Sequence, residues 1–115
     1  MSQFKEKVIN VIRLIPRGKV VSYGQVAVYV GVPRAARQIG WTMSKIGNID
    51  LPWWRVVNNA GKITFKGSLY NNKVLQKKLL EAEGILVADD YTFDIEKYRF
   101  SPSSKQLHEM ELDEA

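Results

Sequence analysis

The chain has 115 residues, of which 45% are hydrophobic and 25% charged, so it can bury one compact core and falls near the lower end of domain sizes. It has no cysteine and a single histidine, His108, which excludes disulfides, thiolate metal sites and cysteine nucleophiles and argues against a zinc site. No apolar stretch approaches the roughly 20 residues that span a bilayer, and the first residues lack a signal-peptide pattern. We therefore expect a cytoplasmic protein without membrane contact. No cofactor is expected either.

The net charge of +5 is distributed unevenly along the chain. Residues 1–88 carry 14 Lys and Arg against 4 Asp and Glu, whereas residues 89–115 carry 3 against 8. A compact basic body favours a polyanionic partner, usually nucleic acid, because neutralised phosphates release counterions. A solvated basic surface would have the same charges, so charge alone leaves both interpretations open.

The first two predicted elements are helices. Apolar residues recur at near-helical spacing from Phe4 to Ile15, which predicts an amphipathic helix that stops at Pro16. Ser22 is a suitable N-cap for a second helix, Tyr23–Val30.

A third helix, Arg34–Ile46, is predicted after a break at Gly31 and Pro33, and Gly40 could permit a close helix crossing. Two short helices joined by a tight turn match a helix-turn-helix unit. Any packed pair of helices in a small bundle would show a similar pattern, so this pattern alone does not establish DNA binding.

A small β-hairpin or wing is predicted next. Its arms are Arg55–Val57 and Lys62–Phe65, and Asn58–Gly61 is its turn. Together these elements predict a mainly α domain with a small β-hairpin (α+β), resembling a winged helix-turn-helix.

A fourth helix should begin at Asn71 or Asn72, run to Glu83 and stop at Gly84. The residues expected on its buried face are Val74, Leu75, Leu79 and Leu80.

The C-terminal part is expected to divide in two. Asp89–Phe100 is apolar enough to dock on the body as an irregular extension, whereas the short, polar, acidic remainder should be disordered. We therefore predict a single domain over residues 1–100 and a disordered acidic tail over residues 101–115.

Three motifs follow one another along the chain: IPRGKVVSYGQ at residues 15–25, GVPRAARQIG at residues 31–40 and LPWWRVV at residues 51–57. Together they resemble the DNA-binding, catalytic domain of the methylguanine-DNA methyltransferases. The resemblance covers most of residues 4–84 and implies the fold of that family's C-terminal domain.

The third motif departs from the family. Pro52-Trp53-Trp54-Arg55 stands where the acceptor motif reads Pro-Cys-His-Arg. Alkyl transfer needs a thiolate and a base, and an indole supplies neither, so the chain is not expected to be an alkyltransferase enzyme. Tryptophan at the acceptor position is typical of alkyltransferase-like proteins, which the chain resembles more closely, although their commoner motif is Pro-Trp-His-Arg.

The resemblance implies that the helix-turn-helix engages the DNA minor groove and that the target guanine is turned out of the stack. Arg37 resembles the arginine that fills the vacated space and bonds the orphaned cytosine. Tyr23 resembles the tyrosine that presses on the target nucleotide's 3′ phosphate. The alternatives are an ordinary phosphate contact or solvated charge for Arg37, and a buried tyrosine with a satisfied hydroxyl for Tyr23.

The resemblance also implies a lesion pocket. Trp53 would form the wall where the alkyl group lies, or would only fill the space of the missing cysteine. Trp54 is expected to fill the core rather than touch a ligand, and Arg55 to hold the pocket loop. Lys66 matches a basic pocket residue that senses the guanine, and Glu83 matches the activating acid, here expected to be structural.

Further DNA contacts are expected from exposed cations and one small residue near Arg37. They are Lys19, Arg34, Lys45 and Lys62 as phosphate contacts, with Ala36 beside them on the DNA-binding surface. Each of these cations could equally be a solvated charge.

The favoured function is non-enzymatic recognition of O6-alkylguanine in duplex DNA by a monomer, which flags the lesion for nucleotide excision repair proteins. One alternative is a helix-turn-helix transcriptional or architectural protein without lesion specificity. Another is a lyase or glycosylase acting on the flipped base, for which Lys66 is the one imaginable amine. As a DNA-binding protein it would be associated with the nucleoid.

Overall fold

A computed structural model describes residues 2–46, 50–64 and 72–101 of the chain. Its elements in order are α1 (Ser2–Arg13), β1 (Val21–Ser22), α2 (Tyr23–Tyr29), α3 (Ala36–Ile46), a 3₁₀ turn (Trp53–Arg55), β2 (Val56–Val57), α4 (Lys73–Ala82) and α5 (Ile95–Tyr98). The predicted class, mainly helical with a small amount of β structure, is confirmed. Lys66, Phe65 at the end of the predicted hairpin and residues 102–115 lie outside the described residues.

Helices α1, α2 and α3 form the larger part of the core. One face of α1 is buried, and Ile12 and Val8 are fully inaccessible to solvent. Burial of an aliphatic side chain stabilises a fold by about 1.5–3 kcal/mol, so this face explains why α1 is held in place. The buried cluster comprises Val8, Ile9, Val11, Ile12, Ile15, Val21, Val26, Ala27, Val30, Ile39, Met43, Ile46, Leu51, Trp53 and Val56.

The predicted N-cap of α2 is confirmed and is part of a reciprocal pair of hydrogen bonds. The Ser22 hydroxyl accepts from the Gln25 backbone N–H at 3.0 Å, and the Gln25 side-chain oxygen accepts from the Ser22 N–H at 2.9 Å. This capping box satisfies two backbone donors that a helix start leaves unpaired. It fixes the first residue of α2, Tyr23, at a defined position.

Helix α3 begins at Ala36, two residues later than predicted, because residues 33–34 form a turn before it. Gly31 lies before that turn with φ +88°, a conformation that favours glycine. The expectation that Gly40 permits a close helix crossing is wrong. A Cβ at Gly40 would meet only Tyr23 Cε1, at 3.9 Å, which is an ordinary contact.

The predicted hairpin is wrong, and the sheet pairs differently. Strand β2 pairs in parallel with β1, with Val21 opposite Val56 and Ser22 opposite Val57. The segment after the turn pairs with residues 91–93 instead, since Phe93 N donates to Gly61 O at 2.8 Å. A Cβ at Gly61 would overlap the Phe93 carbonyl oxygen, so this approach requires glycine.

Helix α4 confirms the cap at Asn72, whose side chain accepts from Leu75 N at 3.0 Å. Its buried face is centred on Gln76 and Leu80, and the prediction that Val74 is buried is wrong because its side chain is 49% exposed. The Gln76 amide donates to the carbonyl oxygens of Trp54 and Val56, at 3.1 and 3.0 Å. A polar residue therefore joins α4 to the 3₁₀ turn and β2.

The segment after α4 packs against β1 and includes α5, a helical turn where irregular structure was expected. Val20 N donates to Tyr98 O at 2.9 Å, and Phe100 N donates to Val20 O at 2.7 Å. The domain boundary at residue 100 and the disordered tail stay predictions. Across the described ranges no helix is long and apolar enough to cross a membrane.

Candidate nucleic-acid interface

A cleft of about 1020 Å³ lies between α2, α3 and the turn after β2. Its lining residues are Ser22, Tyr23, Gly24, Gln25, Val28, Tyr29, Pro33, Ala36, Arg37, Gly40, Ser44, Asn58, Asn59, Thr64 and Arg99. Binding sites for drug-sized ligands measure roughly 300–1,000 Å³, so a purine with a substituent would fit here.

The helices that form the cleft come from a stretch without acidic residues. Between Glu6 and Asp50 the sequence contains seven Lys and Arg and no Asp or Glu. Cations without neighbouring carboxylates produce a positive potential that attracts a polyanion. The charge of this stretch therefore favours DNA or RNA at the cleft.

Tyr23 lies at the start of α2 and lines the cleft beside Gly40 of α3. Burial raises the pKa of its hydroxyl to about 12. A tyrosine hydroxyl is protonated at neutral pH even without this shift, so it is able to donate a hydrogen bond to an acceptor such as a phosphate oxygen, and the raised pKa extends that ability into the alkaline range.

Arg37 is the second residue of α3, and its side chain is exposed. It lies where the cleft meets a shallow depression of about 800 Å³. In the part of the chain that the structure describes, no hydrogen bond or ion pair is recorded for its guanidinium group. The structure thus brings three residues predicted from the resemblance, Tyr23, Ala36 and Arg37, to one cleft.

The predicted lesion-pocket residues of the third motif lie elsewhere. Trp53 is only 8% exposed and belongs to the hydrophobic core, where its ring meets Trp54 edge to face at 6.1 Å. Neither tryptophan nor Arg55 lines the cleft, although Tyr23 packs against the same core cluster as Trp53. The pocket-wall role of Trp53 stays a prediction, and so does the role of Lys66, which is outside the described residues.

Glu83 is the acceptor at the centre of a hydrogen-bond network below the 3₁₀ turn. Its carboxylate accepts from Trp54 Nε1 at 2.7 Å, from Gly18 N at 2.7 Å, and from Arg55 Nε and Nη2 at 3.0 and 2.7 Å. Arg55 Nη1 also donates to Ile15 O at 2.8 Å. These contacts join the end of α4 to the 3₁₀ turn and to the loop after α1.

The environment of Glu83 keeps it ionised. Burial alone would raise the pKa of Glu83, but hydrogen bonds from Arg55, Gly18 and Trp54 and the charge of Arg55 lower it below its ordinary value. Its side chain is 3% exposed, so the ion pair with Arg55 is shielded from water. The geometry supports structural roles for Glu83, Arg55 and the indole N–H of Trp54.

We predict that Glu83→Gln lowers the free energy of unfolding by about 3 kcal/mol at pH 7, because Arg55 would be left buried without its counter-ion. The pKa of Glu83 is lowered in the folded state, so its stabilising effect is complete above the unfolded value of 4.5 and is lost as the pH falls through the folded value. Urea unfolding at pH 7 and at about pH 3 tests this, since the difference from wild type should shrink in acid.

The matched control is Glu81→Gln, on the same helix but exposed. It should change the free energy of unfolding by no more than about 0.5 kcal/mol at either pH. An equal loss in both variants would contradict the special role of Glu83.

Sequence reasoning missed part of the cleft wall. Arg99, from the C-terminal segment, donates to Gln25 Oε1 at 2.6 Å and to Asn59 Oδ1 at 3.1 Å, and it pairs with Glu96 at 2.7 Å. The hydrogen bond and charge of Glu96 raise the pKa of Arg99. No local pattern indicates this position, because docking of a distant segment brings Arg99 to the cleft.

The four predicted phosphate contacts are separated by the structure. Arg34 lines the depression beside Arg37, and Lys45 Nζ lies 4.4 Å from the ring centroid of Trp41. Lys19 and Lys62 are exposed but line neither cavity. Among the described residues, no group of three or more His, Asp or Glu side chains could hold a metal ion.

The chain is similar to known proteins over most of its length. The family described as "6-O-methylguanine DNA methyltransferase, DNA binding domain" matches residues 3–85. The "DNA base-flipping protein" of Vibrio parahaemolyticus is 41% identical over 106 residues, covering 89% of this chain and all of that protein. "Alkyltransferase-like protein 1" of Schizosaccharomyces pombe is 36% identical over 107 residues, covering 89% of this chain and 98% of that protein.

Solved structures with the same fold include complexes with DNA. The crystal structure of S. pombe Atl1 in complex with damaged DNA containing O6-carboxymethylguanine has a TM-score of 0.80 at 36% identity, covering 89% of this chain and 98% of that one. The structure of Mycobacterium tuberculosis OGT in complex with DNA has a TM-score of 0.63 at 33% identity, over 70% of this chain and 48% of that one.

Proposed function

The chain belongs to the family of the 6-O-methylguanine DNA methyltransferase DNA-binding domain, and we propose that it recognises alkylated guanine in duplex DNA by base flipping, without repairing it. The observation that carries the proposal is the meeting of Tyr23 and Arg37, from two different helices, at one cleft large enough for a purine. The similarity to a protein crystallised with O6-carboxymethylguanine DNA supports a modified guanine as the occupant.

Base flipping follows from these positions. With α3 in the minor groove, Arg37 enters the stack and bonds the orphaned cytosine, while the neutral Tyr23 hydroxyl donates to the 3′ phosphate of the rotating nucleotide. Extrusion of a base costs a few kcal/mol, and least when the base is damaged or mispaired. An alkylated guanine is therefore extruded more readily than guanine, which makes the lesion the preferred ligand.

Binding without repair follows from the residues at the acceptor motif. The chain has no cysteine, and Trp53 and Trp54 stand where a thiol and an imidazole would be needed. Glu83 is held in an ion pair with Arg55 and accepts the N–H of Trp54, whose indole cannot act as a base. The protein is therefore a sensor rather than an enzyme.

A sensor that leaves the lesion in place is useful to a cell only if another protein removes it. We propose that a monomer bound at the lesion flags it for nucleotide excision repair, in keeping with the resemblance to alkyltransferase-like proteins. Purified excision proteins should incise an O6-methylguanine duplex faster when this protein is added. Unchanged incision would refute this step while leaving lesion binding intact.

The direct test is a titration of a fluorescent duplex with one O6-methylguanine and of the same duplex with guanine. We expect tighter binding to the lesion, and unchanged masses of protein and DNA afterwards. Equal affinities would favour a transcriptional or architectural protein. A mass increase after borohydride treatment would instead reveal an amine nucleophile of a lyase.

A further inference from the structure

Trp41 is a large aromatic residue that the fold leaves in solvent. It lies on α3 with 60% of its surface exposed, on the side opposite the buried Ile39, Met43 and Ile46. Tryptophan side chains are highly buried on average, and exposed ones are enriched where proteins bind their partners. Packing of α3 against the core does not explain why a tryptophan occupies position 41, because the helix already has a complete apolar face on its opposite side.

Trp41 belongs to the same surface as Arg37. Residues four apart on a helix are neighbours, so the indole lies one turn beyond the guanidinium group. Both side chains line the shallow depression, together with Val32 and Pro33, which are exposed and apolar. The depression is thus an apolar patch that continues directly from the cleft across Arg37.

One turn further along, Lys45 covers the indole. Its Nζ lies 4.4 Å from the ring centroid of Trp41, a cation–π contact that restrains both side chains. The indole is therefore held on the surface with a positive charge beside it. A restrained aromatic ring loses little conformational entropy when a ligand covers it.

The charge around the patch favours a polyanionic occupant. Arg34, Arg37 and Lys45 surround the patch, and α3 and the turn before it contain no acidic residue. The minor groove of DNA combines anionic phosphates with apolar sugar faces, and proteins that bind it use cationic side chains together with apolar side chains that wedge between base steps. Aromatic rings beside cations also form stacking platforms for nucleic acids.

We propose that Trp41 is a DNA-contacting residue whose indole packs against the minor groove beside the nucleotide that Arg37 displaces. The proposal rests on the proposed function, which places α3 in that groove. Trp41 lies one helical turn from Arg37, about 6 Å along the axis of α3, so its indole contacts the duplex outside the extruded nucleotide itself. Trp41 consequently strengthens binding to damaged and undamaged duplex alike, whereas Arg37 determines the preference for the lesion.

The test compares Trp41→Ala and Trp41→Phe with wild type, by anisotropy titration of the O6-methylguanine duplex and of the guanine duplex. Trp41→Ala should bind both duplexes about tenfold more weakly, with the ratio of the two affinities unchanged. Trp41→Phe should retain most of the affinity. In the free wild-type protein, acrylamide should quench the fluorescence of the exposed Trp41. Bound DNA should protect Trp41 from this quenching.

Leu86→Ala is the matched control. Leu86 is 75% exposed and lines neither the cleft nor the depression, so its loss should leave both affinities unchanged. A folded Trp41→Ala with wild-type affinity for both duplexes would overturn the proposal and would assign the patch to a protein partner.

The two proposals fail in different ways. If wild type prefers the lesion while Trp41→Ala binds as tightly as wild type, the Trp41 contact is wrong and the proposed function stands. If wild type shows no preference but Trp41→Ala still binds both duplexes more weakly, lesion recognition is wrong and the Trp41 contact stands.

Discussion

Replacing Arg37 with alanine should weaken binding to an O6-methylguanine duplex by about 2–3 kcal/mol, or roughly 30- to 150-fold, with a much smaller effect on the undamaged duplex. The guanidinium group is exposed at the rim of the cleft, and within the described ranges no partner is recorded for it. Its loss should not destabilise the fold. However, once the damaged base is extruded, no side chain would fill the gap that it leaves in the base stack.

Two further variants separate the possible roles of Arg37. Lysine keeps the charge but lacks the planar fork that stacks and bonds a base edge, so Arg37→Lys should resemble the alanine variant if the residue enters the stack. Arg13→Ala removes an exposed arginine at the end of α1, outside the cleft, and controls for loss of charge. Full rescue by lysine would identify Arg37 as a phosphate contact.

The same titrations at several salt concentrations add an independent readout. A residue that only neutralises a phosphate changes the slope of log affinity against log salt by about one. We expect Arg37→Ala to reduce the preference for the lesion at every salt concentration, because stacking and base contacts are screened less than exposed charges.

The helices were predictable because their signals are local. Ser22 and Gln25 are three residues apart and form the capping box, and Asn72 caps α4 through Leu75. These contacts depend on short-range sequence, which a reader of the sequence can evaluate directly.

The sheet was not predictable in the same way. Val56 and Val57 could pair with any buried extended segment, and the structure pairs them with Val21 and Ser22, far earlier in the chain. The turn after β2 resembled a hairpin turn, but tertiary contact with residues 91–93 determined its pairing.

The buried face of α4 was also not predictable from the sequence, but for a different reason. A hydrophobic pattern assigns the buried side of a helix to its apolar residues, whereas here the buried side centres on Gln76. Gln76 is 1% exposed because it donates to two backbone oxygens, and Val74 consequently points to solvent. Such a specific polar contact leaves no periodic signal in the sequence.

In the candidate site, too, residues of local motifs could be predicted, whereas residues placed by tertiary docking could not. Tyr23 and Arg37 could be assigned from motif resemblance, and the structure brings both to the cleft. Arg99 could not be assigned, because its position depends on how residues 85–100 dock beside β1. Trp54 was expected to fill the core, and the structure adds that its N–H donates to Glu83.

Trp53→Ala should lower the free energy of unfolding by about 3–5 kcal/mol, a large part of the roughly 5–15 kcal/mol that stabilises a typical domain. The indole is 8% exposed within the main core cluster, and a methyl group in its place would leave a cavity. Urea unfolding at neutral pH measures the loss. A change below about 1 kcal/mol would show that the indole is not part of the core packing.

The pocket-wall role of Trp53 against the alkyl group is still a prediction, and its test needs a variant that folds. Trp53→Phe keeps an apolar ring, but its smaller face should lower the ratio of lesion to guanine affinity about fivefold, because one methyl in an apolar pocket is worth only about 1–3 kcal/mol. Trp54→Phe is the matched control, since it loses the hydrogen bond to Glu83 and some stability but should keep the affinity ratio. If only Trp53→Phe changes the ratio, Trp53, at the acceptor position, contributes directly to recognition of the lesion. If neither variant changes it, Trp53 fills the space of the missing thiol, and discrimination arises from the lower cost of extruding the damaged base and from Arg37, which fills the gap in the stack.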